Sequence, residues 1–205
     1  MKRFSFWLGI FGLIFLACQP GGTQTNTAAL MEEGRQLSKQ FMGELKRELQ
    51  LALKAGGPLN AIRVCQKRAP EIARKLSLKS GWQLKRTSLR VRNPKNAPDA
   101  WEKRVLKKFT AEISAGRNPH TLEYGEVVVE DGKRVFRYAK AIPTGKICLM
   151  CHGAKIRPAL RRKILELYPE DKAVGFREGE LRGIFSLKKV LDWCPRQDSN
   201  LRHRD

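Results

Sequence analysis

The chain has 205 residues, which is enough for one domain with a real hydrophobic core, and its 41 Lys and Arg against 20 Asp and Glu give a formal charge of +21. The basic residues are scattered through every segment instead of forming one patch, which argues against a dedicated nucleic-acid interface. We therefore predict no nucleic-acid partner, and a basic surface that meets anionic lipid head groups or acidic proteins.

The N-terminus has the pattern of an export signal. A basic pair precedes an apolar run over 4–17, which is too short to cross a bilayer comfortably. Cys18 directly follows Ala17, as in a bacterial lipobox, so we expect its thiol to be acylated. This pattern predicts a signal segment over 1–17, a flexible linker over 18–28, and an exported protein of the periplasm or cell envelope that is membrane-anchored through Cys18.

Apolar residues at helical spacing predict two helices at the beginning of the folded region. The first covers about residues 28–54 and ends at a Gly-Gly pair. The second carries Cys65 on its apolar stripe, so we expect this thiol to face the core. Pro70 should kink or restart the second helix, because proline cannot donate the helical hydrogen bond.

The periodicity then changes to that of a strand. Residues 82–93 alternate Leu89 and Val91 with arginine and serine, which predicts a strand with a strongly basic second face. A helix over 100–115 is expected next, with Asp99 as its N-cap.

The clearest local signal is a hairpin whose turn is Asp131-Gly132, the pair that a type I′ turn prefers. A short helix over 157–168 and a final strand over 181–191 complete the pattern. Helices followed by an antiparallel sheet with one inserted helix define an α+β domain, which we place at 29–192.

Residues 193–205 have no hydrophobic pattern, and we expect a tail that lies outside the domain. Its "DSN" triplet can be encoded by the complement of the T-arm of a transfer-RNA gene, which indicates that the reading frame runs into such a gene. We assign no function to Cys194 or His203 in this tail.

The stretch "ICLMCHGAK" carries the chemistry of the chain. Cys148, Cys151 and His152 form the Cys-x-x-Cys-His signature of c-type haem attachment. Two thiols at this spacing reach two vinyl groups of the porphyrin, and the next residue presents an imidazole to the iron. One such motif predicts one covalently attached haem c, with His152 as the proximal ligand.

Two other chemistries use paired cysteines. A structural zinc site needs four ligands, but the domain has no second cysteine pair and only His120 besides the motif histidine. A thioredoxin-type dithiol follows a strand in a βαβ unit, usually with an aromatic residue before the first cysteine, whereas Ile147 stands there and a hairpin leads in. Export and motif together favour haem.

The sixth ligand position is open to several residues. Met150 lies between the two anchors and is too near to arch over the other face of a haem. Met42 sits beside the stripe of the first helix, and His120 is expected in a loop. Cys65 taken alone is more often a small buried hydrophobe than a ligand, and an open sixth position is the remaining possibility.

The region from about residue 28 to residue 191 resembles a bacterial family of single c-type-haem, PAS-like sensor domains. The resemblance rests on segments that span the domain in order: "RVCQKRAPEIA", "RTSLRVRNPKNAPDAWE", "CLMCHG", "YPEDKAVGFREGELRG" and "FSL". It implies a PAS-like antiparallel sheet behind N-terminal helices. The cysteine of the "C…AP" segment looks like the second axial ligand in that family, which maps onto Cys65.

A thiolate opposite histidine lowers the potential of the iron and favours its ferric state, which suits a sensor of redox state or of a gas such as NO or CO. Arg86, Arg90 and Arg92 are candidates for haem propionates; we expect two of the three to be a solvated face and keep Arg86 as cofactor-binding.

The resulting prediction is an exported, lipid-anchored monohaem sensor without enzymatic activity, with an unidentified redox or signalling partner in the cell envelope. The alternative is a periplasmic electron-transfer cytochrome that docks on acidic partners. A haem-free structural or thiol-exchange lipoprotein is the third possibility.

Overall fold

The computed structural model describes residues 25–193. The predicted signal segment, the lipidation of Cys18 and the predicted tail beyond residue 193 therefore lie outside the described residues, and these predictions stay untested. Within 25–193, no helix combines the length and the apolar character that crossing a membrane requires.

Three helical segments open the domain. Helix α1 covers Thr27–Arg63, a π-helical turn covers Val64–Arg68, and helix α2 covers Ala69–Ser80. Helix α1 contains a non-helical break at the predicted Gly-Gly pair, where the second glycine has φ 65°. The predicted kink near Pro70 takes the form of the π turn, in which the Ala69 N–H bonds back to the Val64 carbonyl.

The sheet is antiparallel and has the strand order β1-β4-β3-β2. Its strands are β1 Gln83–Thr87, β2 Glu123–Glu130, β3 Lys133–Pro143 and β4 Leu181–Trp193. The hairpin between β2 and β3 is confirmed, with φ 50° at Asp131 and 71° at Gly132, as a type I′ turn requires.

The remaining helices are α3 Ala100–Ser114, α4 Leu149–His152 and α5 Pro158–Leu167. The predicted N-cap of α3 is confirmed: the Asp99 carboxylate accepts from the Glu102 N–H, and the Glu102 carboxylate accepts in return from the Asp99 N–H. Helices first, then a sheet with an inserted helix, give the α+β architecture predicted from the sequence.

The two faces of the sheet bury separate apolar clusters. One face packs against α1 and α2, and its largest buried side chains are Phe41, Trp82, Phe136, Tyr138 and Phe185. The opposite face packs against α3 through Trp101, Val105, Phe109, Ala139 and Ile184. The sheet is therefore buried on both sides, and the functional residues lie at its end instead of on an open face.

The predicted strand over 82–93 is too long. Strand β1 ends at Thr87, and Leu89 beyond it is 45% exposed. The pairing with β4 ends at Thr87 ↔ Ile184, although β4 begins three residues before Ile184, at Leu181, where its register with β3 also shifts. The basic residues after this point turn toward the segment between α5 and β4.

Candidate functional site

The Cys-x-x-Cys-His motif forms a compact double turn after β3. A 3-10 turn, Lys146–Cys148, leads directly into the four-residue α4, and the three motif side chains are all half-buried. The Gly153 N–H donates a 2.9 Å hydrogen bond to the Leu149 carbonyl, and this bond ends α4. A Cβ at Gly153 would lie 2.6 Å from that same oxygen, so only glycine allows this closure.

The His152 ring is fixed by the segment after α5. Its Nδ1 lies 2.8 Å from the Ala173 carbonyl oxygen, which can only accept, so Nδ1 carries the proton and Nε2 keeps its lone pair. Phe176 packs edge-on against the ring at 6.2 Å, and its N–H donates to the His152 carbonyl. Burial, with Arg182 and Arg92 nearby, lowers the pKa of His152 well below its usual value, so the ring is neutral and suited to bind a metal.

A buried ion pair holds this segment in place. Arg92 donates Nε and Nη2 to the two oxygens of Asp171 at 3.1 and 3.2 Å, and Nη2 also bonds to the Cys151 carbonyl at 2.6 Å and to the Ala173 carbonyl at 3.3 Å. Arg161 donates to Asp171 from the other side at 2.6 Å. Arg92 thereby ties the motif turn to the segment that orients His152.

Cys65 lies in the π turn, where it is half-buried and unpaired. The expectation that it faces the apolar core is wrong: Val64 takes the core position, and Cys65 lies near Cys151, Arg86, Tyr168 and Arg182. The extra residue of a π turn rotates the following side chains, which explains the departure from a regular helical stripe.

The other candidates for a sixth ligand are placed elsewhere. Met42 packs against the core cluster under α1, Met150 is 38% exposed on the outside of the motif turn, and His120 is exposed in the loop after α3. Among the described residues, Cys65 is the remaining candidate that the structure brings to the motif.

The three arginines of the predicted basic face have different environments. Arg92 is in the buried ion pair, and Arg90 donates to Glu180 at 3.1 Å and to the Val174 carbonyl at 3.1 Å. The expectation of a solvated face for two of the three is wrong for Arg92, whose side chain is 10% exposed, whereas Arg90 is 42% exposed and pairs with a similarly exposed Glu180. Arg86 has no hydrogen bond or carboxylate partner among residues 25–193; its guanidinium stacks over Phe41 at 5.7 Å, and burial lowers its pKa.

Four further residues belong to the site but could not be found from spacing. Arg182, Tyr168 and Asp171 approach it from the chain after α5, and Ala173 supplies the carbonyl that binds His152. Burial lowers the pKa of Arg182 to about 10 and raises the pKa of Tyr168. The segment "YPEDKAVGFREGELRG" contains all four, so the family resemblance was the signal that pointed to them.

The surroundings of the thiols distinguish between the chemistries considered for them. Burial raises the pKa of the Cys151 thiol, whereas a redox dithiol needs a lowered one. No group of three or more His, Cys, Asp or Glu side chains among residues 25–193 is placed to hold a metal ion directly.

A separate open groove of about 810 Å³ lies beside α1 and α5. It touches the π turn through Gln66 and Lys67 but none of the thiols.

Fold and site together define a class: an α+β domain that presents a Cys-x-x-Cys-His turn near a lone thiol at the end of an antiparallel sheet. The model of the Tll0287-like family matches residues 23–189, and the chain belongs to this family. A crystal structure of the cyanobacterial haem protein Tll0287 is similar, with 29% sequence identity and a TM-score of 0.57. The similarity covers 82% of this chain and 96% of that protein. No protein of curated function matches.

Family membership confirms the resemblance to single c-type-haem, PAS-like sensor domains that the sequence showed. The PAS-like α+β fold is likewise confirmed by the similarity to the solved structure.

Proposed function

We propose that this chain carries one haem c, attached through Cys148 and Cys151, with His152 and Cys65 as the axial ligands. The observation that carries the proposal is the motif turn itself, which has two free thiols beside an imidazole whose Nδ1 is committed to Ala173. The match to a cyanobacterial haem protein over nearly all of that protein's length supports the same cofactor.

The residues around the motif fit this group. A bound haem supplies a one-electron iron centre and two propionate carboxylates. His152 offers a neutral Nε2, and the hydrogen bond from its Nδ1 to a carbonyl increases its basicity, as metal-binding histidines commonly require. Arg86 and Arg182 offer positive charge without a carboxylate of their own among the described residues.

Cys65 gives the site its proposed sensing character. A thiolate places negative charge on the iron, which favours the ferric state and lowers the potential. The thiol is held by a π turn, an element that recurs at functional sites, so its release requires the rearrangement of one turn and leaves the sheet intact. We propose that Cys65 is displaced on reduction or by a small ligand such as NO or CO, and that this displacement is the signal.

The proposal includes the sequence-based location. Export, acylation of Cys18 and a partner in the cell envelope are inferred from residues 1–28, and no enzymatic activity is proposed. Electron transfer to an acidic partner is the second candidate, because the formal charge of +21 favours docking on acidic proteins.

The test of haem attachment uses the full chain, expressed with a haem-attachment system. The absorption spectrum of the denatured protein in alkaline pyridine should show covalent haem, and replacing both Cys148 and Cys151 by Ala should abolish it. Absence of covalent haem from the unaltered chain would rule out the proposed cofactor.

The test of axial ligation compares two variants in the same turn. Cys65→Ala should remove the low-spin thiolate signature from the ferric EPR spectrum, while Gln66→Ala, which alters the neighbouring side chain, should keep it. An unchanged spectrum in Cys65→Ala would contradict the ligand assignment. A high potential with rapid electron exchange to a partner cytochrome would favour the electron-transfer function over sensing.

A further inference from the structure

Arg182 is the extra residue of a β-bulge at the start of β4. In the pairing of β3 with β4, Ile142 lies opposite Gly183 and Pro143 lies opposite Leu181, so Arg182 has no partner. A bulge bends its strand and redirects a side chain, and bulges recur next to functional sites.

The packing shows which way the bulge turns this side chain. Leu181 and Ile184 are three positions apart, so regular alternation would put them on opposite faces of the sheet. Both nevertheless pack against the α3 cluster, which means that the bulge shifts the alternation by one. Arg182 is therefore displaced from the α3 face to the side of Phe185, whose directly paired residue in β1 is Arg86.

Arg182 and Arg86 thus meet at the same end of the sheet, and neither has a carboxylate. Arg182 stacks over Phe176 at 5.1 Å and Arg86 over Phe41 at 5.7 Å, and among residues 25–193 neither guanidinium makes a hydrogen bond. Their neighbours Arg90 and Arg92, by contrast, are both paired with acidic residues.

Arg182 and Arg86 are both half-buried, and their N–H donors have no protein acceptor among residues 25–193. The two like charges repel each other, and Cys65 and Cys148 lie near Arg182. An anionic ligand with two separate acidic groups, bound beside these thiols, would satisfy both arginines.

We propose that Arg182, turned by the bulge, and Arg86 bind the two propionate carboxylates of the haem, each through hydrogen bonds assisted by its charge. The inference rests on the proposed function, and it adds Arg182 as a cofactor-binding residue and the bulge as the feature that positions it.

The binding test uses the full chain with Cys148→Ala and Cys151→Ala, which prevents covalent attachment. Affinities for iron protoporphyrin and for its dimethyl ester are measured by absorption titration. The free acid should bind about tenfold more tightly for each arginine that contacts a carboxylate, and R182Q or R86Q should each remove about tenfold of this preference. R177Q, which removes an exposed arginine, is the matched control and should keep the preference.

A second readout uses the covalently loaded protein. Removing a cation beside the iron favours the ferric form. R182Q should therefore raise the ferric-to-ferrous ratio at a fixed applied potential by up to about tenfold, which corresponds to a midpoint potential lower by about 59 mV for one electron. R182K should restore most of this shift, because the charge returns, and circular dichroism should confirm that all variants fold.

The outcomes separate the two proposals. Absence of covalent haem from the unaltered chain would refute the proposed function. Covalent haem in the unaltered chain, together with equal binding of acid and ester or an R182Q variant that behaves like R177Q, would overturn only the assignment of Arg182 and Arg86.

Discussion

Replacing Asp171 by Asn tests how the site is held together. The Asp171 side chain is fully buried, and its partner Arg92 is 10% exposed. The variant leaves Arg92 charged with only the Cys151 and Ala173 carbonyls as strong acceptors. Breaking a buried ion pair costs about 3–5 kcal/mol, and because Asn still accepts one hydrogen bond we expect a loss of about 3 kcal/mol in the free energy of unfolding.

The loss should depend on pH in a defined direction. Burial alone would raise the pKa of Asp171, but hydrogen bonds from Arg92 and from the Ala173 N–H outweigh it, so the pKa lies below its usual value. A carboxyl group whose pKa is lowered on folding stabilises the native state above its unfolded pKa of about 3.9, and this contribution is lost as the pH falls through the folded pKa. The difference between Asp171→Asn and the unaltered chain should therefore be constant near neutral pH and shrink below about pH 4.

Urea unfolding of the full chain, followed by circular dichroism at pH 7 and at a series of lower values, measures both effects. Glu180→Gln is the control, because the Glu180–Arg90 pair is similar in type but 39% and 42% exposed, and exposed pairs contribute about 1 kcal/mol or less. A loss in Asp171→Asn no larger than that in the control, or a loss that persists unchanged at low pH, would refute the reasoning.

Two glycine substitutions test the packing around the sheet. Gly34→Ala places a Cβ 2.6 Å from the Tyr138 ring, so we expect a loss of about 1–3 kcal/mol in the free energy of unfolding measured with urea. Gly43→Ala is the control: a Cβ there has no atom within 4 Å, so the variant should be neutral or more stable by up to about 1 kcal/mol. Equal stability of the two variants would contradict the close approach of Gly34 to Tyr138. Gly183→Ala places a Cβ 2.3 Å from the Thr87 carbonyl oxygen and should force β1 away from β4. The backbone amides of β1 should then exchange hydrogen about tenfold faster. Unchanged exchange would show that the two strands can accommodate the added methyl group.

Local signals predicted the elements well where neighbours in sequence decide the structure. The capping box at Asp99 and the Asp131-Gly132 turn are closed by residues within four positions, so their chemistry is visible in the sequence. The motif at 148–152 is likewise local, and its placement on one short double turn follows from its spacing.

The parts of the site that could not be predicted depend on contacts between distant segments. The orientation of Arg182 depends on a register shift between β3 and β4, which no periodicity within β4 reveals. Arg92 lies outside the observed strand and pairs with a carboxylate that is 79 positions further along the chain, which the local pattern does not show. Cys65 does not lie on the apolar stripe of the helix, because one π turn shifts the helical periodicity at this point. Pro70 predicts a kink in the sequence but does not predict that the kink is a π turn.

The strand order also affects when the site forms during folding. Strand β4 is hydrogen-bonded to both β1 and β3, yet it is the last element of the described chain, and Arg86 pairs with a residue roughly 100 positions later. Contacts of such long range form late, since the chain must first lose the entropy of closing a large loop. Arg182 reaches the motif turn through the pairing of β4 with β3, so under the proposed function it is the last of the cofactor-binding side chains to arrive. The strand that completes the sheet would therefore also complete the proposed haem site.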